Sequence, residues 1–135
     1  MISAGAESLT RFQRGEAGAA VNRAYFAHSE TFLPFLARLG LARDEPPLSP
    51  ANIPEDRQWR TSLIGPESSN LMVVGARCRD QAVALKFFLN ERLLEHVRLP
   101  GFAPDCQEEN FCQLESFVRH YQQFALTNIS QACQL

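Results

Sequence analysis

Residues 24–27, Ala-Tyr-Phe-Ala, form an apolar run that stops abruptly at the polar triplet His28-Ser29-Glu30. Beyond it, Phe32, Phe35, Leu36 and Leu39 recur at helical spacing. A short apolar run, a polar break and a 3.6-residue period predict a buried strand, a sharp turn and an amphipathic helix. Proline lacks an N–H and is best placed in a first helical turn, so Pro34 points to Thr31 as the N-cap. Gly40 suits the position just past the helix end.

The rest of the chain reads around that unit. Residues 1–22 are rich in Ala, Gly and charge, with Leu9 and Phe12 on one side of a short helix that Gly15 and Gly18 break. The expectation there is a helix end and a linker. Residues 41–58 contain Pro46, Pro47, Pro50 and Pro54, too many for a continuous helix or a central strand. Ser49-Pro50-Ala51-Asn52 can form a single turn. Residues 70–78 and 82–89 are short and apolar and predict two strands, the first covered on both faces. Arg79-Asp80-Gln81 and Asn90-Glu91 supply the turns, and residues 92–97 a third short strand. Residues 112–126 predict a helix whose broad apolar face carries Cys112, Leu114, Phe117, Val118, Tyr121 and Phe124. The expected fold is α/β, a mixed sheet with flanking helices.

Composition fits one globular unit: 135 residues, 45% of them hydrophobic, with a net charge of −2. Charges of both signs are interspersed, so bulk electrostatics offers no nucleic-acid or anionic-membrane partner. The four cysteines, Cys78, Cys106, Cys112 and Cys133, allow three pairings and do not match a common zinc spacing. Asn128-Ile129-Ser130 is a glycosylation acceptor in a secretory setting. No metal or other cofactor is called for. His96, in the third strand, reads as a structural histidine. Arg57 and Arg60 read as solvated or paired with nearby Asp44, Glu45, Asp56 or Glu67.

The candidate chemistry lies at His28 and Glu30. A histidine in a turn is ordinarily just solvated. These two, however, fall at the C-terminal end of a predicted strand, where open α/β sheets bind ligands. They also stand above a helix N-terminus, whose unpaired N–H groups suit a phosphate.

Residues 25–34, Tyr-Phe-Ala-His-Ser-Glu-Thr-Phe-Leu-Pro, resemble the "FGHAETLLPLL" stretch of the inositol-polyphosphate-hydrolysing branch of the histidine acid phosphatase, phytase-like, family. The likeness continues in order. Residues 44–49 resemble "DKEPLT", and 57–66 resemble "HRKFRSGLIVP". Residues 69–78 resemble "SNLIFVLYHC", 88–91 resemble "LLNEK", and 112–117 resemble the "CPLERF" tail. The resemblance implies phosphomonoester hydrolysis through a phosphohistidine. Glu30 would be the proton donor and His28 a phosphate contact, with inositol polyphosphates, and also 2,3-bisphosphoglycerate, as substrates. Ser29 replaces the family's usual alanine.

The family's Arg-His-Gly-x-Arg motif, which holds the nucleophile, does not occur in the sequence; Arg119-His120 is followed by Tyr121. The expectation is therefore a C-terminal part of the catalytic domain over residues 1–135, with 1–22 as connection. Its partner would be the missing N-terminal half, and alone it would be inactive. The alternative is a non-catalytic secreted remnant or binding module. The resemblance also implies an oxidising compartment: endoplasmic reticulum lumen, cell surface or secreted. In that setting a Cys106–Cys112 bridge is expected, leaving Cys78 to pair with Cys133.

Overall fold

A computed structural model describes residues 2–19, 22–80, 82–94 and 111–125. In chain order the elements are α1 (Ile2–Gln13), α2 (Ser29–Arg38), α3 (Thr61–Ile64), β1 (Leu71–Arg77), β2 (Val83–Leu89), β3 (Arg92–Leu93), β4 (Cys112–Gln113) and α4 (Leu114–Ala125). The fold is α/β, an antiparallel sheet with flanking helices.

The sheet is organised on β2. β1 pairs with it antiparallel along seven positions, from Leu71 opposite Leu89 to Arg77 opposite Val83. β3 and β4 share its other edge, at Phe88–Leu89 and Ala84–Leu85 respectively. The turns follow the side chains expected of them. Asn90 and Glu91 both take positive φ, 50° and 66°, which asparagine tolerates better than most residues. Asp80 accepts the Ala82 N–H at 3.1 Å, closing the β1–β2 connection.

Side chains alternate across a strand, so Val83, Leu85 and Phe87 of β2 point to one face, and all three are buried. They form one cluster with Leu39, Cys112, Leu114, Phe117 and Tyr121. Full burial of each large apolar side chain contributes about 1.5–3 kcal/mol. Phe117 bridges two rings, with centroids 5.7 Å from Phe87 and 4.8 Å from Tyr121. Leu9 and Phe12 of α1 pack against the same cluster, and α1 lies along α4. Gly75 is the small residue that admits α1: a Cβ there would stand 3.0 Å from the Leu9 methyl. Gly15 and Gly18 follow α1 with positive φ.

Several expectations are corrected. Residues 24–27 form no strand; they are irregular, exposed chain, with Phe26 97% accessible. A strand needs a neighbour to take its backbone hydrogen bonds, and among the described residues no strand pairs with this segment. β1 is covered on one face only, and there in part, since Val73 opposite Phe87 is also exposed. Met72 and Val74 lie on the outer face and are exposed, because β1 is an edge strand and the helices sit on the other side. Cys112 and Gln113 belong to a short strand, so the last helix begins at Leu114. The third strand is described only over Arg92–Leu93; His96 lies outside the described residues.

Candidate functional site

The site region is the N-terminal end of α2 and the segment that faces it. His28, not Thr31, is the N-cap. Its backbone is extended (φ −82°, ψ 167°), and its carbonyl accepts the N–H groups of Thr31 at 3.0 Å and Phe32 at 2.9 Å. Its side chain makes no capping bond. The helix thus starts three residues earlier than the proline suggests. Pro34 falls inside α2 and withholds a hydrogen bond from the Glu30 carbonyl. Glu30 is solvent-exposed, so water can take that bond, which explains why the early start is tolerated.

Glu30 sits in the first turn of α2, where the helix dipole favours a carboxylate. It lines a shallow hollow of about 500 Å³ with Ser29, Leu33, Pro34 and Ala37 of the same helix. The opposite wall is Trp59 and Thr61. His28 is exposed and is not among the residues lining this hollow. The structure therefore brings His28 and Glu30 to one helix end, not to a strand end. The walls combine one carboxyl group with aliphatic and aromatic surface, a mixture typical of small-molecule sites.

Leu33 also fastens α2 to the segment across the hollow. Its side chain packs so closely on Gly65, just after α3, that a Cβ at Gly65 would come within 2.7 Å of it. Asn90 ties the sheet to the same place. Its amide donates to the Ile64 carbonyl at 3.4 Å, and its Oδ1 accepts the Asn70 N–H at 3.0 Å. Arg60, the N-cap of α3, is exposed, and Arg57 donates to the Pro54 carbonyl at 3.2 Å. A second, larger hollow of about 630 Å³ lies toward the C-terminal end of α2, with Arg38, Arg43, Leu48 and His120 among its walls.

Trp59 is a site residue that the sequence does not announce. In the sequence it is one apolar residue among arginines, and nothing local marks it as a wall of the hollow beside Glu30. The cysteines are partly corrected as well. Cys78 is a free, exposed thiol at the end of β1, so it is not paired with Cys133. Cys112 is buried and disulfide-bonded. Cys106, Cys133 and Asn128 also lie outside them. No group of metal-binding side chains occurs among the described residues, and no helix there is long and apolar enough to cross a membrane.

Two curated proteins are similar to the chain. Multiple inositol polyphosphate phosphatase 1 of Dictyostelium discoideum is 34% identical over 101 residues, which is 73% of this chain and 15% of that protein. Its namesake in Homo sapiens is 32% identical over 111 residues, 81% of this chain and 21% of that protein. The chain thus spans about a fifth or less of the length of these relatives. No protein-family model and no solved structure matches it. The antiparallel sheet with helices on it is compatible with part of a histidine phosphatase fold. By its sequence the chain is a homologue of one segment of the multiple inositol polyphosphate phosphatases.

Proposed function

We propose that this chain is a segment of a histidine acid phosphatase that hydrolyses phosphomonoesters of inositol polyphosphates. Glu30 is its proton donor and His28 a phosphate contact. The observation that carries this reading is Glu30 on the first turn of α2, exposed beside a hollow, within a chain whose relatives are named for this activity.

The chemistry follows from the leaving group. A nucleophilic histidine attacks phosphorus and the P–O bond breaks, leaving an alkoxide on the polyol. An alkoxide leaves poorly unless it is protonated as it departs, and a protonated Glu30 supplies that proton. Water then attacks the phosphohistidine, and the Glu30 carboxylate takes up the proton that water loses. The imidazole of His28, when protonated, stabilises charge on the non-bridging oxygens.

The sequence contains no Arg-His-Gly-x-Arg motif, so the nucleophile comes from polypeptide beyond these residues. The chain alone is then inactive, and its partner is the N-terminal half of the catalytic domain. We place the whole protein in an oxidising compartment, the endoplasmic reticulum lumen or outside the cell. Cysteine pairing and glycosylation at Asn128 belong to that placement.

The test grafts this chain into the Dictyostelium relative in place of the matching segment. Phosphate release from inositol hexakisphosphate is expected, reduced about 10²–10⁴-fold by Glu30→Gln. A folded graft whose Glu30→Gln variant keeps the parent rate overturns the donor role. Steady phosphate release by the isolated chain overturns its dependence on a missing half.

A further inference from the structure

Asp44 and Trp59 are joined by a tether that the sequence conceals. The two oxygens of the Asp44 carboxylate accept successive backbone N–H groups, Gln58 at 2.6 Å and Trp59 at 3.0 Å. Bonds from backbone N–H groups to an ionised carboxylate are among the stronger ones. Between the tether points, residues 45–57 contain four prolines and only one isolated backbone bridge, Ser49 with Asn52. No strand ladder fixes Trp59, so the Asp44 carboxylate does. It holds the half-buried indole against α2, where Trp59 and Ala37 line both hollows and stand between them.

The lining beside Glu30 favours a particular kind of ligand. Apart from Glu30 it offers Leu33, Pro34, Ala37 and the indole, with hydroxyls from Ser29 and Thr61. It carries no cation, so this hollow is suited to the uncharged frame of a phosphate ester more than to its phosphate. A six-membered polyol ring presents axial C–H groups as a flat apolar face. A rigid aromatic plane matches such a face at little conformational cost. An open-chain polyol must be immobilised about several bonds to make the same contact.

We infer that Trp59, positioned by Asp44, is a specificity residue that selects phosphate esters of ring polyols by packing its indole face against the ring. Asp44 is a positioning residue. This inference rests on the phosphatase reading of Glu30.

Trp59 is the sole tryptophan in the sequence, so its emission reports the site in the unaltered chain. The chain is titrated with myo-inositol 1-phosphate and with glycerol 3-phosphate, which carries the same charge without a ring. The expected result is a saturable change in emission, with half-saturation at least tenfold lower for the ring ester. Asp44→Asn, with unchanged circular dichroism, is expected to bring the two esters within twofold. Should that variant unfold, saturation-transfer NMR on ligand protons serves instead: Trp59→Phe keeps the ring preference and Trp59→Leu loses it. Equal half-saturations in the parent chain, no emission change with either ester, or a preference that survives Trp59→Leu overturns the inference. The hydrolysis test with Glu30→Gln is separate. Glu30-dependent hydrolysis without ring preference removes the Trp59 role and leaves the donor, and the converse result removes the donor.

Discussion

The Tyr121 hydroxyl donates a 3.0 Å hydrogen bond to the Leu39 carbonyl, joining the middle of α4 to the end of α2. Both residues are buried, at 2% accessibility each. This bond anchors the far end of the helix that presents Glu30. Tyr121→Phe keeps the ring and leaves the Leu39 carbonyl buried without this donor. The expected loss is about 1–3 kcal/mol, seen as a lower urea midpoint with an unchanged slope.

The same phenol sets a pH dependence. Burial raises the Tyr121 pKa above its usual value, and the charge of Arg38 opposes this only in part. In the unfolded chain the phenol ionises near pH 10, about its ordinary value, while in the folded chain it keeps its proton to higher pH. Above pH ~10 the unfolded state therefore binds fewer protons, and stability falls as pH rises. Tyr121→Phe lacks this proton. Its stability deficit relative to the parent is expected to shrink between pH 9 and pH 11, about the range in which a phenol titrates. Paired urea melts across that range check the sign.

Arg77 secures α1. Its guanidinium lies 5.1 Å from the Phe12 ring centroid and donates to the Phe12 carbonyl at the end of α1. A cation at a helix C-terminus is favourable, and the stacking adds to it. Arg77→Met keeps the apolar stem and removes the charge. The expected cost is about 1–2 kcal/mol, with faster amide hydrogen exchange in α1 and little change in β2.

Overpacking gives an independent check on the contact between α1 and the sheet. At Gly75 a new Cβ meets Leu9 at 3.0 Å and Val83 at 3.4 Å. Gly75→Val is expected to destabilise by about 1–3 kcal/mol. Gly75→Val combined with Leu9→Ala is expected to recover part of that loss. Additive losses in the double-mutant cycle would show that α1 does not pack there.

Cys78 and Cys112 differ in thiol chemistry. An exposed free thiol reacts with a disulfide reagent in the native protein, whereas a buried disulfide needs reduction first. Native labelling is expected to lose the Cys78 adduct in Cys78→Ser and to leave Cys112 unmodified. Peptide mapping that finds Cys78 bridged in the oxidised protein would contradict the structure.

Local pattern was enough for elements whose partners lie next to them in the chain. The β1–β2 hairpin, the Asn90-Glu91 turn, and the face of α4 bearing Leu114, Phe117 and Tyr121 follow from periodicity and turn chemistry alone. Residues 24–27 are apolar without forming a strand, because an apolar run says nothing about whether a pairing strand exists. The N-cap lies at His28, ahead of the position Pro34 favours, because solvent at Glu30 relieves the carbonyl that Pro34 leaves unbonded.

By itself the sequence determined the antiparallel hairpin, the apolar faces of its helices, and the placing of His28 and Glu30 two positions apart ahead of an apolar helix. Only the tertiary structure decided what Glu30 faces. Trp59 reaches it across a proline-rich segment through Asp44, and Tyr121 anchors the helix from 82 residues beyond Leu39. Such contacts depend on which surfaces burial brings together, and no local run of residues encodes that.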